Sequence, residues 1–139
     1  MNAFPAVPVR RGLGARRALI VLLAFEGVVA LCAAVALAFT APAAGELLGG
    51  TFGASATVAA LLLAGLCAAL AVGCFAATGG LLRDRTNAEL TAIGVEAAVV
   101  AAAVVGFVST GVSPELVAAA VIGGLGLLFA AVVSLNRVR

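Results

Sequence analysis

The chain has 139 residues, of which 65% are hydrophobic and 10% charged, with a mean hydropathy of +1.30 and no Trp, Tyr or His. A soluble domain of this size carries about 25% charged residues, because one core must be coated with polar surface, and this chain lacks the residues for such a coat. Disorder is excluded too, since it needs low hydrophobicity and high net charge and the formal net charge here is only +2.

A basic segment, 1–17, opens the chain with Arg10, Arg11, Arg16 and Arg17. The first apolar stretch follows at 18–40, long enough for the roughly 20 residues that a helix needs to cross about 30 Å of hydrocarbon. Basic residues, an apolar run and the small residues Ala41-Pro42-Ala43-Ala44 together imitate a cleavable signal peptide. The run is about 23 residues against the usual 7–15, and Glu26 interrupts it, so it is expected to stay as a membrane span. Leu31, bulky where a small residue is wanted, argues against a lipoprotein site at Cys32.

Pro42 is expected to end the first helix, leaving a loop over 41–54 in which Glu46 is solvated. A second span runs over 55–79, and Arg83, Asp84 and Arg85 make a solvated turn after it. The third span, 88–110, is preceded by Thr86 with Glu89 three residues later, the spacing of a capping box. Ser113, Pro114 and Glu115 supply an N-cap, a first-turn proline and a first-turn acid for the fourth, 115–135. Arg137 and Arg139 close the chain in a basic tail, 137–139. The expected fold is all-α: one four-helix transmembrane bundle over 18–136. Strands are excluded because a membrane barrel alternates polar and apolar residues, and here both faces of every stretch are apolar.

All eight basic residues are Arg, and they fall before the first span, between the second and third, and after the fourth. The other two loops contain none, so the positive-inside rule places both termini in the cytoplasm. Alanine-rich, lysine-free wording points to a high-GC bacterial genome, hence to the bacterial inner membrane. Nucleic-acid binding is excluded, since it needs a basic face with reading or stacking side chains. Cys32, Cys67 and Cys74 lie inside apolar runs and read as small buried hydrophobes. No metal motif or cofactor fingerprint is present.

The first and third spans superimpose with a shift of 70, which lays Glu26 on Glu96, and the second and fourth with a shift of 59, which lays Gly65-Leu66 on Gly124-Leu125. These shifts describe two helical hairpins in parallel repeat, related by an axis along the membrane normal. Two rows of small residues at i, i+4 spacing mark where helices are expected to touch: Gly65, Ala69, Gly73 and Ala77 on the second helix, and Ala98, Ala102, Gly106 and Thr110 on the third. Ordinary packing within the bundle is the expected use of these rows, ahead of a dedicated dimer face.

Glu26 and Glu96 are the ionisable side chains well inside the apolar runs. Each stands nine positions beyond its inner flank, Arg17 or Asn87, or roughly 13 Å along a helix. A charge at that depth costs at least roughly 2.5–3.5 kcal/mol, and no Lys, His or Arg is near enough to offset it. Both carboxyls are therefore expected to rest neutral, each OH donating to a backbone carbonyl or to the other acid. Two uses stay open: an interhelical hydrogen bond that fixes helix rotation, or a proton, cation or substrate site.

Four spans, Ala41-Pro42 soon after the first and Leu47-Leu48-Gly49 before the second make the chain resemble small bacterial DoxX-like membrane proteins. That resemblance implies a four-helix membrane fold and carries no functional residue to any position here. The small multidrug exporters share the span count and a first-helix glutamate, but the aromatic residues that surround that acid are missing. An enzyme is not expected, because no His is present and no Cys or Ser has a base to activate it. The first expectation is a non-enzymatic packing, assembly or accessory component with the lipid bilayer, a second copy or another membrane protein as partner. The alternative is a small proton- or cation-coupled transporter working through Glu26 and Glu96.

Overall fold

The computed structural model describes residues 13–85, 87–111 and 113–137. It is all-α, with α1 Leu13–Leu48, α2 Gly50–Leu82, α3 Ala88–Thr110 and α4 Pro114–Arg137. All four helices are long and apolar enough to cross a membrane. Large apolar side chains cover the outside of the bundle as well as its interior, among them Phe39, Leu62, Val72 and Val108. A helix that is apolar all round needs lipid or protein on every side, so the chain is a multi-pass membrane protein. Arg10, Arg11, Thr86 and Arg139 lie outside the described residues.

Pro42 does not end the first helix. At 36 and 33 residues, α1 and α2 are longer than α3 and α4, which have 23 and 24, and the expected loop over 41–54 shrinks to the single residue Gly49 between two helices. Proline inside a helix costs about 3 kcal/mol, mainly one lost hydrogen bond and a clash. Contact with α2 offsets that cost: Thr57 of α2 donates to the Ala41 carbonyl at 3.2 Å, beside the proline, and the α1–α2 contact is the most extensive in the bundle. The turn itself needs glycine, because Gly49 and Gly50 both take positive φ, 62° and 54°. Below it α1 and α2 come so close that a Cβ on Gly53 would overlap the Gly45 carbonyl.

The opposite end of α2 closes differently. Arg85 N–H reaches back to the Gly80 carbonyl at 3.0 Å and Asp84 N–H to the Leu81 carbonyl at 3.3 Å, a Schellman pattern with Asp84 in the left-handed region at φ 55°. Arg83, Asp84 and Arg85 are exposed, as the sequence implies. The sequence gives no sign that Arg16 crosses from α1 to this turn, donating to the Leu81 carbonyl and pairing with the Asp84 carboxylate at 2.8 Å. Exposed ion pairs contribute about 0.2–1 kcal/mol, and a charged donor on an otherwise finished helix end adds to that. Arg16→Ala is therefore expected to lower stability by about 1 kcal/mol. Asp84→Gly, which loses the pair but relieves the backbone, should be nearly neutral. Thermal unfolding of both variants in one detergent gives the comparison, and equal losses would contradict it.

α3 starts after Asn87, whose side chain makes no cap bond; the expected capping box falls on Thr86, outside the described residues. The start of α4 is as expected: Ser113 Oγ accepts from the Leu116 N–H at 3.3 Å and the Ser113 carbonyl from the Val117 N–H at 3.0 Å.

The helices pack in a ring, α1 on α2, α2 on α3, α3 on α4 and α4 on α1, with the α1–α2 contact the most extensive and α1–α4 the least. α1 and α3 are therefore diagonal. Arg16, Arg17, Arg83 and Arg85 all fall at one end, where α1 starts and α2 finishes. The main core lies in that half: Leu19 and Leu23 of α1 against Ala77 and Leu81 of α2, Ala88 and Ala92 of α3, and Ala130 and Val133 of α4.

The small-residue rows are only half right. Gly73 packs on α3, where a Cβ would stand 3.0 Å from Val95 Cγ2; Ala77 is fully buried; and Gly106 packs on α4, where a Cβ would stand 2.6 Å from Leu116 Cδ2. Gly65, Ala69, Ala98 and Ala102 are exposed, and the Thr110 side chain lies outside those described. Each i, i+4 step advances about 40° around a helix of 3.6 residues per turn, so a row of four swings off any one neighbour. The buried residues of α2 run instead through Ala64, Ala71, Cys74, Ala77 and Leu81.

Candidate functional site

Four helices contribute one residue each to a layer near the middle of the bundle. α1 supplies Glu26, next to Gly27, which lets α2 approach until a Cβ on Gly27 would stand 3.1 Å from both Cys74 Cβ and the Phe75 ring. α2 supplies Cys74, 1% exposed. α3 supplies Glu96, on the face shared with buried Ala92 and Ala103, and it is 0% exposed. α4 supplies Gly126, whose missing side chain makes room for the Glu96 carboxyl: a Cβ there would overlap it.

Glu26 and Glu96 thus meet although their helices do not adjoin. Each reaches across the bundle axis, and the two carboxyl groups stand close enough to interact directly. The two carboxyl groups are within hydrogen-bonding reach of each other, and no other group described bonds to their oxygens. The thiol of Cys74 is close to both acids. One turn nearer the arginine end on the same helix face, the buried hydroxyl of Thr78 is without a partner. Unpartnered buried polar groups cost about 1–3 kcal/mol each and are few in folded proteins. Two buried acids meeting in a bundle built mostly from Ala, Gly, Val and Leu mark this layer as more than packing.

The electrostatics follow from the surroundings. No positive side chain described reaches this layer, and a carboxylate without counter-charge in a dry bundle is costly. Two carboxylates side by side would cost more, so the low-energy form of the pair is neutral, or carries at most one charge stabilised by the partner's OH. Among the described residues no group of three His, Cys, Asp or Glu is placed to hold a metal ion.

A cavity of about 290 Å³ lies beside the acids, away from the arginine end. Glu26 forms part of its floor, and the rest of its wall is apolar, with Val29 of α1, Leu70 of α2, Val99 and Ala103 of α3, and Leu116, Ala119 and Ile122 of α4. Phe25 lines this cavity and also a shallow groove between α1 and α4 with Val21, Leu22 and Phe129. Phe25 and Val29 of α1 and Ala102 of α3, which all line it, are exposed on the outer surface, so the cavity is open to the outside of the bundle. A further groove at the arginine end, between α2 and α3, is lined by Gly80, Arg85, Asn87 and Thr91.

Glu26 and Glu96 are thus brought together in the bundle interior. Cys74 and Gly126 also belong to this layer, and sequence reasoning passed over both because a thiol and a glycine are unremarkable inside an apolar helix. The shift of 59 between the second and fourth spans pairs Cys74 with Val133, whereas the residue of α4 at the acid layer is Gly126, two turns away. That shift is therefore not the spatial correspondence. No family profile matches the chain, and neither a curated protein nor a solved structure matches it.

Proposed function

We propose that this chain is a small proton-linked membrane carrier whose working groups are Glu26 and Glu96. The observation that carries the reading is the meeting of two carboxyls from diagonal helices, with no hydrogen-bond partner but each other, beside an apolar cavity that Glu26 lines. Acids kept only to lock helices together would be expected to bond to carbonyls or hydroxyls as well, because carboxyl oxygens left without further partners cost stability without adding fixity. A carboxyl pair bonded only to itself is suited to exchanging a proton: it takes up or gives up one charge while its apolar surroundings keep other ions out. The packing or assembly role suggested by composition explains the small-residue contacts and leaves the carboxyl oxygens unexplained.

On this reading the protein is not an enzyme, needs no cofactor and acts alone or as a homo-oligomer in the lipid bilayer. The arginine end faces the cytoplasm by the positive-inside rule, in a bacterial inner membrane, with both termini on that side.

The test is proton movement in proteoliposomes holding the purified chain under an imposed pH gradient, followed with an internal pH dye. The native chain is expected to collapse the gradient faster than empty vesicles. Glu26→Gln/Glu96→Gln, which keeps shape and removes the exchangeable protons, should fall to the empty-vesicle rate while retaining its helical content. Native-like collapse by the folded double variant would refute the carrier.

A further inference from the structure

We propose that the cavity beside Glu26 is a binding site for a lipid-soluble primary amine, which enters from the bilayer and seats its ammonium group on the Glu26 carboxylate. The inference names the substrate class of the carrier described above; turnover rests on that reading, whereas binding does not.

What the site lacks identifies what it takes. Glu26 is the one ionisable side chain lining the cavity, its carboxyl has only that of Glu96 within bonding reach, and no positive side chain lines the cavity. Acceptors are in surplus, and the missing complement is a cation with several N–H donors, as an ammonium has. A neutral alcohol offers one donor and no charge, and an anion is opposed by both acids. The wall above Glu26 is apolar on every side, so the rest of the ligand is apolar too. A cavity of about 150 Å³ accommodates a benzene ring, and about 290 Å³ leaves room for a two-ring hydrocarbon group. Val29 and Phe25 connect the cavity to the outer surface, which fits arrival from lipid, where such amines concentrate.

Charge is conserved by proton release. The groups facing the seat are Glu26 of α1, Cys74 of α2 and Glu96 of α3; the described residues of α4 present no titratable side chain there. With the pair neutral, arrival of R–NH3+ requires one carboxyl O–H bond to break: the proton leaves to solvent, its electron pair stays on the carboxylate, and the ammonium replaces the proton as counter-charge. Cys74 stays a thiol and nothing is oxidised. One amine in for one proton out is the exchange a proton-linked carrier needs.

The probe is 1-naphthylmethylamine, with 1-naphthylmethanol as its neutral counterpart of nearly equal shape. The chain has no Trp or Tyr, so naphthyl fluorescence is read against almost no protein background. Native protein in nanodiscs, corrected for empty nanodiscs, is expected to bind the amine saturably and at least about tenfold more tightly than the alcohol, the size expected of one charge-assisted contact. In weak buffer, a pH indicator should register about one proton released per amine bound. Glu26→Gln should remove the preference and the proton release. Ala119→Phe, which fills the cavity without touching the acids, should abolish binding of both compounds. Equal affinity for amine and alcohol on the native protein, or proton release that survives Glu26→Gln, overturns the assignment even if Ala119→Phe fails to fold. Proton flux in vesicles without amine binding would overturn the substrate class alone. Amine binding without flux would overturn the carrier reading alone.

Discussion

Gly126→Ala is expected to lower stability by about 2–4 kcal/mol, an unusually large loss for adding one methyl group. Extra methyl groups in a packed interior typically cost about 1–3 kcal/mol because neighbours must leave their preferred rotamers. Here the neighbour is the Glu96 carboxyl, fully buried and overlapping the place a Cβ would occupy, so moving it also separates it from Glu26 with no other partner to receive it. The test of cause is a double-mutant cycle. In a Glu96→Ala background the added methyl meets the space the carboxyl has vacated, so Gly126→Ala should there be nearly neutral. Unfolding in detergent of the four proteins gives the coupling directly. Additive losses would mean that Gly126 matters for some reason other than seating Glu96.

Which parts of this arrangement were legible in the sequence follows from what each depends on. The four spans rest on run length and composition, which the bilayer reads without reference to tertiary structure, so helix α3 falls where expected. Ser113-Pro114-Glu115 was legible because a cap is a local contact. Pro42 misled because its cost is local, about 3 kcal/mol, whereas the packing of α1 on α2 that continues past it depends on a partner helix that the run itself does not reveal. The acids were legible as acids, since a charge-capable side chain stands out in an apolar run. Their meeting was not, because it depends on the ring order that makes α1 and α3 diagonal, and on Gly126, a residue that gains meaning only when the opposite side chain is known. The i, i+4 rows were legible only in part for a related reason: spacing gives a helical face, and the neighbour decides which part of that face is used.

Replacing both acids should separate folding from function. Methionine matches glutamate in length and is unbranched and apolar, so Glu26→Met or Glu96→Met alone removes one carboxyl and leaves the other buried with nothing to answer it. Each single variant is expected to lose about 1–3 kcal/mol, the cost of an abandoned buried polar group. The double variant Glu26→Met/Glu96→Met removes both partners in similar shapes, a change that is commonly neutral or stabilising, so it should recover to native stability or exceed it. It should carry no proton and bind no amine. Stability higher than native with activity at the empty-vesicle level is the signature of groups retained for what they do, since the bundle would then hold together better without them. Additive destabilisation in the double variant would instead make each acid an independent structural contact, and proton movement by the double variant would remove both acids from the mechanism.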